Sequence, residues 1–215
     1  MTDETRLRES ICRFAASLYA RGLTHGSTGN ISARLPDGRL LVTPTGSSFG
    51  FLDPVRLSLL DTDGRHVGGD APTKEVPLHI GFYTARRGAA GAVVHLHSHH
   101  AVRLSLMPDL DPEDALPALT PYAIMQLGRV RLLPYFRPGD PAMGQAVRAL
   151  DPRVSAVILA NHGPVVSAPD LDRAVFAMEE LEATARLAVE TRGAAVRGLT
   201  PAEIADLVRA FDLEA

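Results

Sequence analysis

Apolar residues recur at helical spacing through the first twenty positions. Leu7, Ile11, Phe14 and Leu18 fall on one face and Gly22 follows as a stop, which predicts a helix over 3–21. From Gly22 to Gly50 the pattern dissolves into Gly, Ser, Thr and Asn. Only "LLVT" at 40–43 interrupts it, as a hairpin strand between loops would. "DPVRLSLL" opens with an Asp cap and Pro at the first helical position, the signature of a short helix. A second helix is predicted over 73–87, with Thr73 as its cap and Val76, Ile80 and Tyr83 on its buried face. Pro77 is tolerable there because it lies near the first turn.

The periodicity then changes. "GAVVHLH" is continuous and β-branched, so residues 92–97 read as a central strand, followed by a helix over 98–106. Later come a helix from Asp140 and Pro141, a buried strand in "VSAVILA", a long helix over 170–190, and a last helix opened by the capping box of Thr200 and Glu203. Strands apolar on both sides fit a sheet with helices on both faces, an arrangement usual for parallel strands. The expectation is one α/β domain over residues 1–215 with a three-layer architecture.

Composition narrows the function. A formal charge of -3 gives no general attraction to nucleic acid or acidic membranes, and neither is expected as a partner. The apolar runs are far shorter than the ~20 residues that a membrane-spanning helix needs. A single cysteine, Cys12, and a start lacking the basic and apolar regions of a secretory signal predict a cytoplasmic protein. The 22 basic residues include one lysine, Lys74. Either a compact ammonium is used there for what a planar guanidinium cannot do, or one lysine has simply survived.

The candidate chemistry starts at His95 and His97. Positions i and i+2 of a strand share a face, so the two imidazoles stand side by side with Cα atoms roughly 6–7 Å apart. Neutral imidazole suits zinc and its first-row neighbours, and a catalytic zinc takes three protein ligands plus an open position. His162, in "ILANHGPVV", follows a second buried strand and is the best third ligand; His99 and His100 are weaker candidates. An H-x-H pair also occurs on ordinary half-exposed strands, and it is His162 that lifts the metal reading above that alternative. Glu75 in "APTKEV" could ligate metal, act as general acid/base, or merely complement a helix dipole, and periodicity does not choose among these. "STGNIS" (27–32) and "TPTGSS" (43–48) expose backbone N–H groups suited to an anion, with Lys74 adding charge. Neither matches a P-loop or dinucleotide fingerprint.

Taken in order, "GSTGNIS", "TPTG", "TKE", "HLH" and "NHG" resemble the class II aldolase/adducin family over roughly residues 5–190. The resemblance implies an α/β/α domain with a largely antiparallel, nine-stranded sheet, assembled as a C4 homotetramer with sites at subunit interfaces. It also implies that His95, His97 and His162 ligate one Zn2+ per subunit, or another divalent metal, and that Glu75 is the catalytic acid/base. Asn30, Thr45, Gly46, Thr73 and Lys74 match positions that hold substrate phosphate, and Tyr122 matches a tyrosine that reaches a neighbouring subunit's site. Longer strings, among them "GGDAPTKEVPLHIGFY" and "PYFRPGD", are similar to the branch that decarboxylates a phosphorylated 3-oxo sugar acid through a zinc-stabilised enediolate. The family's aldolases that cleave sugar phosphates are the alternative, but their C-terminal tyrosine has no counterpart because no tyrosine follows Tyr135. A non-catalytic adducin-like scaffold is a further alternative, and the complete histidine set argues against it.

Overall fold

Helix starts fall where the local chemistry puts them in the computed structural model, which describes residues 2–211 and 213. Helix α1 spans Asp3–Ala20, capped by the Thr2 hydroxyl, which accepts from the Thr5 N–H. Asp140 caps α5 (Pro141–Arg148), Asp170 caps α6 (Leu171–Glu190), and Thr200 and Glu203 form the reciprocal box at α7 (Pro201–Ala210). Each cap satisfies amide donors that the first helical turn leaves without partners. Helices α2 (Val76–Ala85), α3 (His99–Ser105) and α4 (Pro121–Leu127) complete the seven among the described residues.

Eight strands form one sheet: β1 (Asn30–Arg34), β2 (Leu40–Val42), β3 (Ser58–Leu60), β4 (His66–Gly68), β5 (Ala92–His95), β6 (Val130–Leu133), β7 (Ala156–Leu159) and β8 (Gly163–Ala168). Their order is β4-β3-β2-β1-β5-β8-β7-β6. Every pair is antiparallel except β6 with β7. The parallel sheet expected from the apolar runs is therefore corrected. The family's largely antiparallel sheet is present, with eight strands among the described residues in place of nine.

The three layers are real. On one face α2 and α5 place Leu78, Phe82, Met143 and Val147 against Val42, Val93, Val157 and Val165. On the other, α1, α3 and α6 place Ile11, Leu18, Leu104, Met178 and Leu181 against Ile31, Val94, Ile158 and Val166. Neighbouring residues of one strand, such as Val93 and Val94, thus serve opposite cores, which is why these strands read as continuous apolar runs. Each fully buried side chain of this size contributes roughly 1.5–3 kcal/mol relative to exposure, so the two apolar interfaces hold the helices to the sheet.

Two predicted helices are shorter. "DPVRLSLL" becomes a single 3-10 turn, Pro54–Arg56, and then strand β3. Helix α2 starts at Val76 with Glu75, not Thr73, in the cap position. Thr73 is held instead by its own N–H, which donates to Thr43 O at 3.2 Å and keeps the segment extended against 43–45. No helix among the described residues is long and apolar enough to cross a membrane.

Candidate active site

Strand pairing assembles the site. β5 ends at His95, which faces Asn30 of β1 on one side and Val165 of β8 on the other. The β7–β8 turn carries His162 between the paired residues Leu159 and Gly163. Asn161 enables that turn by taking a left-handed backbone (φ 58), which Asn tolerates better than most residues. Gly163 lets it close on the histidine strand, since a Cβ there would lie 2.3 Å from the Leu96 carbonyl oxygen. No side chain fits in that gap, so "NHG" needs its glycine to bring His162 beside His97.

The three rings converge, with centroids 5.0 Å apart for His95–His97, 4.8 Å for His95–His162 and 4.7 Å for His97–His162. Their ligand nitrogens all lie within 4.8 Å of one another. His95 Nδ1–H donates to Pro164 O at 2.8 Å, because a carbonyl can only accept; this fixes the tautomer and turns the Nε2 lone pair inward. That Nε2 is 3.1 Å from His97 Nε2. Two nitrogens at zinc-bonding distance in a tetrahedral shell sit about 3.3 Å apart, close to this value. His162 Nε2 is buried and makes no hydrogen bond among the described residues. A donor set of three inward-facing imidazoles, one of them an orphan, fits a divalent cation.

Electrostatics support ligation. Burial, followed by the neighbouring His95 and His162 rings, pushes His97 down to about 3, and burial, followed by the His95 ring, pushes His162 down to about 4. Both rings are then neutral at pH 7, as metal ligands must be. Glu75 spans the cluster, with Oε2 3.4 Å from His95 Nε2 and Oε1 3.4 Å from His162 Nε2. Burial raises its carboxyl, but the facing His95 ring, the Asn30 amide and the His162 ring together outweigh burial and hold it below the usual range.

A cavity of about 510 Å³ opens onto His97 and His162, lined by His25, His99, Tyr135 and Phe136. His100 is spent elsewhere: its ring and backbone N–H both bond Glu182, at the start of α3. A second cavity, about 460 Å³ between Arg86, Gln126 and Phe176, contains none of the predicted site residues.

The predicted anion cradle is partly brought together. An antiparallel bridge pairs Pro44 with Pro72, and Thr45 N donates to Ala71 O at 2.9 Å, so Thr73 lies opposite Thr43 while Thr45 and Gly46 run on toward Ala71 and Asp70, and Lys74 is not drawn beside them. Thr45, Gly46 and Lys74 are exposed. Asn30 lies deeper: its Nδ2 donates to Glu75 Oε2 at 2.7 Å and its Oδ1 accepts from His79. Tyr122, 62% exposed on α4, is not among the residues lining the cavity at His97 and His162.

Sequence reasoning missed Ser32 and His79, and read Tyr83 only as a buried helix residue; all three are buried and joined by hydrogen bonds behind Glu75. The signal was present in the spacing. Glu75, His79 and Tyr83 repeat every four residues on one helix, while Asn30 and Ser32 share one strand face.

Three imidazoles converging at strand ends, with the buried carboxylate of Glu75 reaching them from the cap of α2, form a candidate metal site. The chain belongs to the class II aldolase family, since the Class II Aldolase and Adducin N-terminal domain matches residues 9–189. It is 49% identical over 204 residues to 3-oxo-tetronate 4-phosphate decarboxylase of Cupriavidus necator, covering 94% of this chain and 93% of that protein. The crystal structure of YgbL from Escherichia coli superposes with a TM-score of 0.93 at 45% identity, covering 96% of this chain and 99% of that one. L-fuculose phosphate aldolase of Methanococcus maripaludis is more distant, 34% identical over 82% of this chain and 91% of that protein.

Proposed function

We propose that this chain is a carbon–carbon lyase that converts 3-oxo-tetronate 4-phosphate to dihydroxyacetone phosphate and carbon dioxide. The observation that carries the reading is Glu75, set 3.4 Å from both His95 and His162 inside the imidazole cluster, in a chain 49% identical to a decarboxylase of that name. His95, His97 and His162 hold one divalent cation, zinc or a first-row neighbour that all-imidazole ligation also suits. When bound, it supplies Lewis acidity for the negative charge that builds as the carboxylate departs.

The protein's own groups do the remainder. Thr45, Gly46, Thr73 and Lys74 bind the phosphate, offering hydroxyls, backbone N–H groups and one ammonium, with Asn30 deeper, bonded to Glu75. The C1–C2 bonding electrons stay on the substrate at C2. Glu75, ionised at rest, takes a proton from water and relays it to C2, and solvent supplies that proton because the reaction consumes one.

The rival is aldol cleavage by the same metal site. Identity falls from 49% for the decarboxylase to 34% for the aldolase, and no tyrosine follows Tyr135. Incubation with 3-oxo-tetronate 4-phosphate should release carbon dioxide and dihydroxyacetone phosphate in equal amounts, the latter read by coupled glycerol-phosphate dehydrogenase. An aldehyde product without carbon dioxide would move the chain to the aldolases.

A cytoplasmic homotetramer goes with this reading. Tyr122, exposed on α4 and away from its own chain's cavity, is then offered to a neighbouring subunit's site. Light scattering should give about four times the mass of the 23.0 kDa chain. A monomeric mass with full activity would remove Tyr122 from the machinery.

A further inference from the structure

Behind Glu75 a strand and a helix interlock through polar side chains alone. Two residues of β1 advance about 6.6 Å and four residues of α2 about 6 Å, so the two repeats run nearly in step. The resulting sequence of contacts is Glu75–Asn30–His79–Ser32–Tyr83, alternating between helix and strand. Asn30 Nδ2 to Glu75 Oε2 is 2.7 Å, Ser32 Oγ to His79 Nδ1 is 2.7 Å, and Ser32 Oγ to Tyr83 OH is 2.8 Å; His79 Nε2 also bonds Asn30 Oδ1. None of the five residues is more than 7% exposed, and the Arg34 guanidinium lies 4.7 Å over the Tyr83 ring at the far end.

The direction of every bond follows from one end. The Glu75 carboxylate can only accept, so Asn30 must present its NH₂ to it and its carbonyl to His79. That carbonyl can only accept, so His79 carries its proton on Nε2 and offers a lone pair at Nδ1. Ser32 must then donate to His79 and accept from Tyr83. No member can flip without leaving two buried groups facing each other with like polarity, and an unsatisfied buried group is costly.

We infer that His79 is a positioning residue: as the Nε2–H tautomer it locks the Asn30 amide, and through Asn30 it holds Glu75 Oε2 at the edge of the imidazole cluster. His79 touches neither the candidate metal ligands by hydrogen bond nor the cavity lining. The inference deepens the acid/base reading of Glu75 and rests on it.

The test uses full-length protein. Long-range ¹H–¹⁵N spectra should show His79 as the Nε2–H tautomer at pH 7; an Nδ1–H ring would overturn the assignment whatever the variants do. His79→Leu fills the space but removes the donor, and should lower kcat about 10- to 100-fold, the range seen when partners behind a metal or catalytic group are removed. KM and metal content should change less than about twofold. His79→Gln, which keeps an N–H for Asn30, should recover most of that loss. In a Glu75→Gln background His79→Leu should cost less than about twofold, because residues acting through one group are not additive. Equal losses in both backgrounds, or no rescue by Gln, would reduce His79 to a structural role. Should His79→Leu fail to fold, Ser32→Ala removes the donor that meets His79 Nδ1 in that tautomer and must show the same dependence on Glu75. Full turnover in Glu75→Gln alone would instead remove Glu75 from the chemistry and leave the tautomer result standing.

Discussion

Glu75→Gln is expected to slow turnover about 10²- to 10⁴-fold, the usual contribution of a positioned general acid or base, while the metal stays bound. Gln keeps the shape and can still meet Asn30, which bonds Oε2 at 2.7 Å, but it cannot carry a transferable proton. Metal should remain because His95, His97 and His162 make a complete three-ligand set by themselves. Folding should also persist, since the substitution removes a charge from a 93%-buried position instead of adding one. Steady-state turnover paired with elemental analysis separates the outcomes. Turnover within twofold of wild type would show that Glu75 handles no proton, and loss of metal would make it a ligand.

His97→Ala carries the other large expected effect, this time on the metal itself. His97 is the half-buried member of the triad, on the cavity side, so its removal leaves both apolar cores untouched. Two imidazoles remain where three converged, and the third was 3.1 Å from His95 Nε2. Losing a ligand should weaken affinity at least as much as losing an outer partner, about 10- to 100-fold, so most of the metal should be gone after dialysis. Activity should fall with it and return in part at high added metal. Stoichiometric metal in the dialysed variant would mean that another ligand set holds the ion.

How far the sequence led depended on the range of the interaction that shapes each segment. Caps are local chemistry, so Asp140 and the Thr200–Glu203 box marked their helices correctly. The triad was also legible, because "HLH" stands at the end of one apolar strand and "NHG" follows a second, although the strand predicted over 92–97 stops at His95. Strand direction was not. Continuous apolar runs such as Val93–Val94 report helices on both faces and carry no sign of which way the neighbouring strand runs. β1 was hidden for a related reason: Asn30 and Ser32 look like a solvent-facing edge in a Gly/Ser-rich stretch, yet both are buried against α2.

Glu75 illustrates the same boundary at the site. Its position before a helix gave three readings of equal standing from periodicity. The β1–β5 register adds what periodicity lacked, because pairing Asn30 with His95 draws the carboxylate bonded to Asn30 toward the imidazoles. Thr73 went the other way. A threonine before a helical pattern reads as a cap, and only its backbone bond to Thr43 shows that it belongs to the extended segment beside Thr45.

The claim beneath all of this is that one divalent cation, shared by His95, His97 and His162, makes decarboxylation possible. Chelator-stripped protein, assayed for carbon dioxide release before and after readdition of zinc and analysed for metal at each stage, tests it most directly. About one metal per chain in the active protein, less than about a tenth of the activity without it, and recovery in proportion to metal regained is the predicted result. Undiminished carbon dioxide release from metal-free protein would contradict it.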